Sequence, residues 1–203
     1  MYENEKLMIG EHFTYKSIEW ICLDVIDGNY LAMTAKPWQE MPFDIYDCND
    51  WRKSSLRRIL NNDFLDKVNK NHLVIQTSDL IADNGDKAYG TCGDYVTILS
   101  CDQYRKYRDI VPHYPEWMWT STPWACNTDS ANGVRVVYPE TPRACNTNSA
   151  NGVRVVDTTG DIYGSSAYIS NGVAPVCLFS SKHLKLCRQT CLIEIDETAE
   201  NEA

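Results

Sequence analysis

Residues 51–64 read WRKSSLRRILNNDF. Trp51, Ser55, Leu56, Ile59, Leu60 and Phe64 recur at helical spacing and predict one apolar stripe on an amphipathic helix. Arg52, Lys53, Arg57 and Arg58 fall elsewhere and read as a solvated basic face. Asn49 or Asp50 is placed to cap the start, and Asn61-Asn62-Asp63 weakens the end. Upstream, residues 13–34 alternate through Phe13, Tyr15, Ile18, Trp20 and Cys22. They turn at Asp27-Gly28 and resume at Tyr30, which predicts a β-hairpin. Residues 35–50 read as a Pro- and Asp-containing loop.

Downstream, Leu73–Ile75 predicts a short strand and residues 78–93 predict a loop. The run Asp83-Asn84-Gly85-Asp86 looks faintly like a calcium loop. It lacks the alternating ligand spacing and the closing Glu, so it reads as a solvated turn. Tyr95–Leu99 predicts a strand, and Ser100 or Asp102 is placed to cap a helix over Gln103–Ile110. Pro112 and Pro115 prevent its continuation. Beyond Trp117 short β-prone runs alternate with Asn-Gly and Thr-Gly punctuation. Strands are predicted at Trp117–Ser121, Val134–Val137, Val153–Val156, Ala167–Ile169 and Val173–Phe179, with Ser170-Asn171-Gly172 as the last turn. This order of elements predicts an α+β domain with helices segregated from antiparallel sheets. The domain is placed at residues 1–180. Residues 181–203 are read as a C-terminal extension with an acidic, fraying end.

Inside the β-rich half lies a duplication. Residues 122–137 read TPWACNTDSANGVRVV and residues 141–156 read TPRACNTNSANGVRVV. They match at all positions but Trp124/Arg143 and Asp129/Asn148, with a period of 19. Two copies are too few for a solenoid, which needs about three repeats to bury a continuous core. The duplication is therefore a local feature of another fold. Its Asn, Ser, Thr, Asp, Arg and Trp side chains suit a display surface.

Composition narrows the classes of partner. The 203 residues, 43% hydrophobic, are enough for one domain with a real core. A net charge of −9 argues against nucleic acid, whose phosphates require clustered Lys and Arg. No run approaches the ~20 apolar residues of a membrane span, so no membrane insertion is expected. The start, MYENEKLMIGEHF, shows no apolar leader, and the expected location is cytoplasmic or phage-associated. Nine cysteines, an odd number, then read as free thiols.

Four stretches carry a family resemblance. WRKSSLRRILNNDF at 51–64 resembles the W-x-x-S-x-L-R-x-x-L-N-x-x-F signature of an uncharacterised bacterial and phage domain family. Asp94–Ser100 is similar to its D-x-V-F-L-L-S strand, Trp117–Pro123 to its W-W-L-R-S-P segment, and Gly172–Pro175 to its G-V-R-P-A strand. The resemblance covers about residues 13–180. Thr120 and Ala174 stand where that family carries Arg, so no role of those arginines transfers. The family is similar to C-type-lectin-fold proteins, including variable proteins diversified by retroelements. The resemblance implies a C-type-lectin-like scaffold that binds ligand through its C-terminal half. Diversifying retroelements mutate template adenines, and Asp129 against Asn148 is compatible with one adenine change; Trp124 against Arg143 is not obviously of that kind.

The expected ligand surface comprises Trp119, Trp124, Asn127, Asp129, Asn132, Arg135 and Tyr138. It also includes the second-copy residues Arg143, Asn146, Asn148, Asn151 and Arg154, with Tyr163, Tyr168 and Asn171. The competing reading makes the alternating valines core, turns the polar residues to water, and buries Trp117 and Trp119. A protein or a glycan is the expected ligand. No catalytic residue, metal or other cofactor is expected, and no oligomeric state is read. His183, Cys187 and Cys191 would share one face if helical, but zinc wants a fourth ligand. Two alternatives remain: an enzyme on the same broad fold, similar to formylglycine-generating oxidoreductases, and a self-assembling structural subunit.

Overall fold

The computed structural model describes residues 6–126, 133–137, 162–182, 184–187 and 192–195; at 133–137, 184–187 and 192–195 it describes the backbone. The hairpin read from the sequence is present. Strand β1 (His12–Tyr15) pairs with β2 (Ile18–Ile26), which pairs with β3 (Asn29–Thr34). Asp27 and Gly28 both take positive φ, +49° and +79°, as a two-residue turn matched to the twist of the strands requires. A short strand lies within 35–50, β4 (Gln39–Pro42).

The amphipathic stripe folds as helix, in pieces. Asp50 caps a 3-10 turn at Trp51–Lys53, and Ser54 then caps α1 (Ser55–Ile59). A π-helical turn at Leu60–Phe64 leads into α2 (Leu65–Val68). The widening coincides with Asn61 and Asn62. Their amides donate to the carbonyls of Arg57 (3.1 Å) and Arg58 (2.6 Å) and compete with the backbone ladder. Asn61 also bonds both backbone groups of Val96, tying the turn to a neighbouring strand.

Chain order continues with β5 (Leu73–Val74), β6 (Gln76–Asp79), β7 (Thr91–Asp94) and β8 (Val96–Thr97). Residues 78–93 are thus not wholly loop: β6 and β7 pair as a hairpin. Helix α3 (Cys101–Tyr107) starts on a complete Ser100/Gln103 capping box. The second half supplies β9 (Met118–Pro123), β10 (Gly133–Val137), β11 (Ile162–Ser166), β12 (Ser170–Val173), β13 (Val176–Phe179), β14 (Leu184–Cys187) and β15 (Leu192–Ile195).

These strands form an eight-stranded sheet, β14-β15-β1-β2-β3-β13-β5 with β8 also on β13, and a five-stranded sheet, β11-β10-β9-β12-β4. The pairing is antiparallel except β1/β15 and β9/β12. The fold is therefore mixed α+β with mostly antiparallel sheets. Residues 184–187 and 192–195, expected in an extension, extend the main sheet beside β1. Cys187, expected on a helical face with His183 and Cys191, ends strand β14; His183 and Cys191 lie outside the described residues.

The main sheet is covered on both faces. Trp20, Cys22, Ala32, Cys177 and Phe179 pack into one cluster with Leu56, Leu60 and Phe64. Their strand neighbours Ile21, Leu23, Leu31, Met33, Val176 and Leu178 pack into a second cluster with Tyr104 and Tyr107 of α3. Adjacent strand residues point to opposite faces, so the two helical regions sandwich the sheet instead of segregating from it. That explains why Trp20–Leu23 within β2 and Val176–Phe179 of β13 are buried at every position.

The strand expected at Ala167–Ile169 and the turn expected at Ser170-Asn171-Gly172 are corrected. Ala167–Ile169 forms the turn, and Asn171-Gly172 lies in β12 against β4 and β9. Gly172 is there for space: a Cβ would sit 2.5 Å from Met118 Sδ and 3.2 Å from the Trp117 carbonyl. Gly172→Ala is expected to cost about 1–3 kcal/mol in chemical denaturation through this overpacking. A loss below about 0.5 kcal/mol would show that β9 and β12 are not so closely apposed.

Candidate ligand-binding surface

Strand β9 is buried along its length and leads directly into the duplicated unit. Its exit is clamped from three sides. The Thr122 hydroxyl accepts from Cys101 N–H at the start of α3 (2.9 Å). The Pro123 carbonyl accepts from Asp83 N–H (2.9 Å). The Ala125 carbonyl accepts from Asn49 Nδ2 (3.0 Å), and the Cys126 thiol donates to the Asp86 carbonyl (3.5 Å). Trp124, between these clamps, is half-buried.

Asn49 is the central anchor. It is fully buried, and its amide oxygen accepts from the Tyr89 hydroxyl at 2.8 Å. Burial, then the nearby Asp50 carboxylate, pushes the Tyr89 phenol up to about 12, so it stays a donor at neutral pH. Arg52 lies 5.2 Å over the Tyr89 ring while holding Asp50 through two bonds of 2.9 and 2.7 Å. The basic face of the first helix is therefore split. Arg58 is exposed, Lys53 lies 3.7 Å from Asp50, and Arg52 and Arg57 are used structurally, Arg57 on the buried Asp94 at 2.7 Å. Neither Asn49 nor Tyr89 was among the sequence candidates. The only signal was Asn49 standing immediately before the Asp50-Trp51 cap.

Asn49→Ala removes one member of this buried network and leaves the Ala125 carbonyl and the Tyr89 hydroxyl short of a partner. The expected loss is about 1–3 kcal/mol, with faster amide exchange at residues 124–126 than elsewhere. Uniform exchange across the chain would contradict the clamp.

An exposed apolar patch lies on two abutting turns. Ile45 and Tyr46 are 58% and 82% exposed, and Tyr168 and Ile169 are 58% and 43% exposed. Asp44 fixes the first turn: its carboxylate accepts from the N–H groups of Tyr46, Cys48 and Ser55. Asp44 N–H donates to the Ala167 carbonyl at 3.0 Å, which joins the turns. Asp47, held at φ +61°, accepts from the Tyr168 and Ala167 N–H groups. Its carboxyl is shifted upward because burial outweighs those bonds. Rigid turns presenting Tyr and Ile in water suit recognition better than stability.

The expected surface residues divide as follows. Tyr168 is exposed, Trp124 half-buried, and Tyr163 half-buried against Trp117 at 5.9 Å between ring centroids. Trp119 is core, 3% exposed, with its indole N–H on the Met41 carbonyl at 2.8 Å and its ring 5.6 Å from Phe43. Asn171 is also buried, 6% exposed, because β12 lies between two strands. Both leave the display set. The backbone of Arg135 pairs with that of Gly164 in the five-stranded sheet. Asn127, Asp129, Asn132, Tyr138, Arg143, Asn146, Asn148, Asn151 and Arg154 lie outside the described residues, as does the strand expected at Val153–Val156.

Among the described residues, no group of three or more His, Cys, Asp or Glu side chains is placed to hold a metal ion. In the 83–86 turn, Asn84 and Asp86 side chains accept backbone N–H groups at 3.1 and 2.9 Å, which is turn chemistry. The six cysteines whose side chains are described are free. Burial pushes the Cys22 and Cys92 thiols up to about 11 and raises those of Cys101 and Cys177, so these four are not activated nucleophiles. No described helix is long and apolar enough to cross a membrane.

No family model matches this chain. No curated protein and no solved structure matches it either.

Proposed function

We propose that this chain is a non-enzymatic ligand-binding protein with a C-type-lectin-like scaffold. In this reading it presents the duplicated unit to a protein or glycan as a variable surface of the kind made by diversity-generating retroelements. The observation that carries the reading is the clamped exit of β9. Asn49, Asp83, Asp86 and Cys101 hold residues 122–126, the first five of the first copy, to the scaffold immediately before that copy's Asn positions. A rigid stem lowers the entropy lost when a displayed segment binds, the usual route to affinity in paratopes. The exposed Tyr46 and Tyr168 add rigid aromatic contacts on turns joined to that scaffold.

The flanking DNA tests the reading. A template copy of the 122–156 coding sequence, differing at adenines, beside a reverse-transcriptase gene is the expected finding. A locus with neither would remove diversification from the proposal. Binding is tested separately. Deleting residues 141–159 should abolish or retarget capture from a glycan array or a displayed-peptide library without changing the melting temperature of the scaffold. Unchanged capture would remove the second copy from the surface.

A further inference from the structure

We infer that a pocket remote from the duplicated unit binds the ammonium head of a small alkylamine. The pocket lies between α3, the loop that follows it and β9. Its walls include Met33, Tyr104, Tyr114, Met118 and Trp119, with Glu116 as the one carboxylate. Those five apolar and aromatic residues are each less than 9% exposed, and the exposed His113 marks the mouth. The cavity measures about 40 Å³. That is room for roughly three water-sized groups, at about 10–15 Å³ each.

Two donors of the wall are committed elsewhere. The Tyr114 hydroxyl donates to the Thr34 carbonyl at 2.8 Å, and the Trp119 indole N–H donates to the Met41 carbonyl at 2.8 Å. Glu116 Oε2 is buried and has no hydrogen-bond partner among the described residues. Such atoms are rare in folded proteins because desolvation is uncompensated. No Lys or Arg lines the cavity. A ligand that brings N–H donors and positive charge satisfies the carboxylate, while the rings and thioethers accept its alkyl body and the cation. An anion meets repulsion from Glu116, and a neutral alcohol supplies a weaker donor. A divalent metal is a poor occupant, since it needs several oxygen ligands and this wall supplies few.

The same chemistry could arrive as a free amine or as the end of a lysine side chain, and the experiment separates the two. The full chain, isotopically labelled, is titrated in NMR with n-butylammonium chloride at constant ionic strength. n-Butanol, butyrate and Nα-acetyl-lysine methylamide are titrated in parallel. The expected result is saturable shifts at Trp119 and Tyr114 with a dissociation constant on the order of 1 mM, as suits so small a ligand. n-Butanol should bind at least tenfold more weakly, and butyrate should not saturate. Glu116→Gln should weaken n-butylammonium at least tenfold while leaving n-butanol unchanged. Glu116 is only half-buried, and an unchanged melting temperature verifies that the variant folds. Binding of the lysine derivative as well would assign the site to side-chain capture; its exclusion would assign it to free amines. Equal binding of n-butanol and n-butylammonium, or no effect of Glu116→Gln, would overturn the inference.

Discussion

Replacing Asp94 with alanine is expected to lower unfolding free energy by about 3 kcal/mol and the melting temperature by roughly 6–12 °C. The Asp94 side chain is 2% exposed and accepts from three groups. These are Trp51 Nε1–H at 2.9 Å, Arg57 Nε–H at 2.8 Å and Arg57 Nη2–H at 2.7 Å. Trp51 is fully buried, so its indole N–H would lose its acceptor away from water. Arg57 is 31% exposed at its side chain and can turn toward solvent, which holds the cost to the lower end of the range for breaking a buried pair. Asp94→Asn keeps an acceptor for the indole and should cost about 1–2 kcal/mol. A double-mutant cycle with Arg57→Met should show coupling above about 1 kcal/mol. An Asp94→Ala loss below 1 kcal/mol, or no coupling, would sink this account.

The position of Asp94 gives that loss a local consequence. Asp94 ends β7, the second strand of a hairpin whose connecting loop carries Asp83, Asp86 and Tyr89. Those residues reach the exit of β9 and its anchor Asn49. The same Trp51 helix start therefore fixes the hairpin through Asp94 and the stem through Asn49 and Asp50. Amide exchange at Ala125 and Cys126 should quicken in Asp94→Ala beyond the change at β2 and β3.

What could be read in advance was local. The Asp27-Gly28 turn, the Ser100 cap and the Trp51, Leu56, Leu60 and Phe64 stripe are all present, the last four fully buried. What escaped was set by partners distant in sequence. Gln39–Pro42 carries no strand pattern of its own and is a strand because β12 offers it an edge. Asn171-Gly172 has the composition of a turn, yet Gly172 answers the approach of Met118. Trp119 has the amphipathic form of a surface contact, but its polar handle finds the Met41 carbonyl inside the fold. The anchors of the candidate surface were hidden for the same reason. Asn49, Tyr89 and Ala125 meet only in three dimensions.

Phe179→Ala should have the largest effect on stability, about 4 kcal/mol, equivalent to a fall in melting temperature of roughly 8–16 °C. Phe179 is fully buried in β13 and meets three rings edge-on. Their centroids are 5.8 Å away for Phe13, 5.3 Å for Tyr15 and 4.9 Å for Trp20. Trp20 passes the contact on to Phe64 of the first helical region at 6.1 Å. Truncation removes the buried area and the edge-to-face terms and leaves a cavity that four aromatic residues cannot easily close. Phe179→Leu keeps most of the volume and should cost about 1.5 kcal/mol or less. The difference between the two variants isolates the cavity from the loss of aromatic geometry. The cluster around Phe179 also holds Tyr89 and Cys126, but the ring contacts of Phe179 among the described residues are with Phe13, Tyr15 and Trp20, and the bonds that clamp 123–126 involve none of these. Phe179→Ala should therefore lower global stability without selectively loosening residues 123–126, the reverse of the Asp94→Ala pattern. If both variants produced the same exchange profile, the stem would be part of one cooperative core, and the clamp at Asn49 would not be a separate unit.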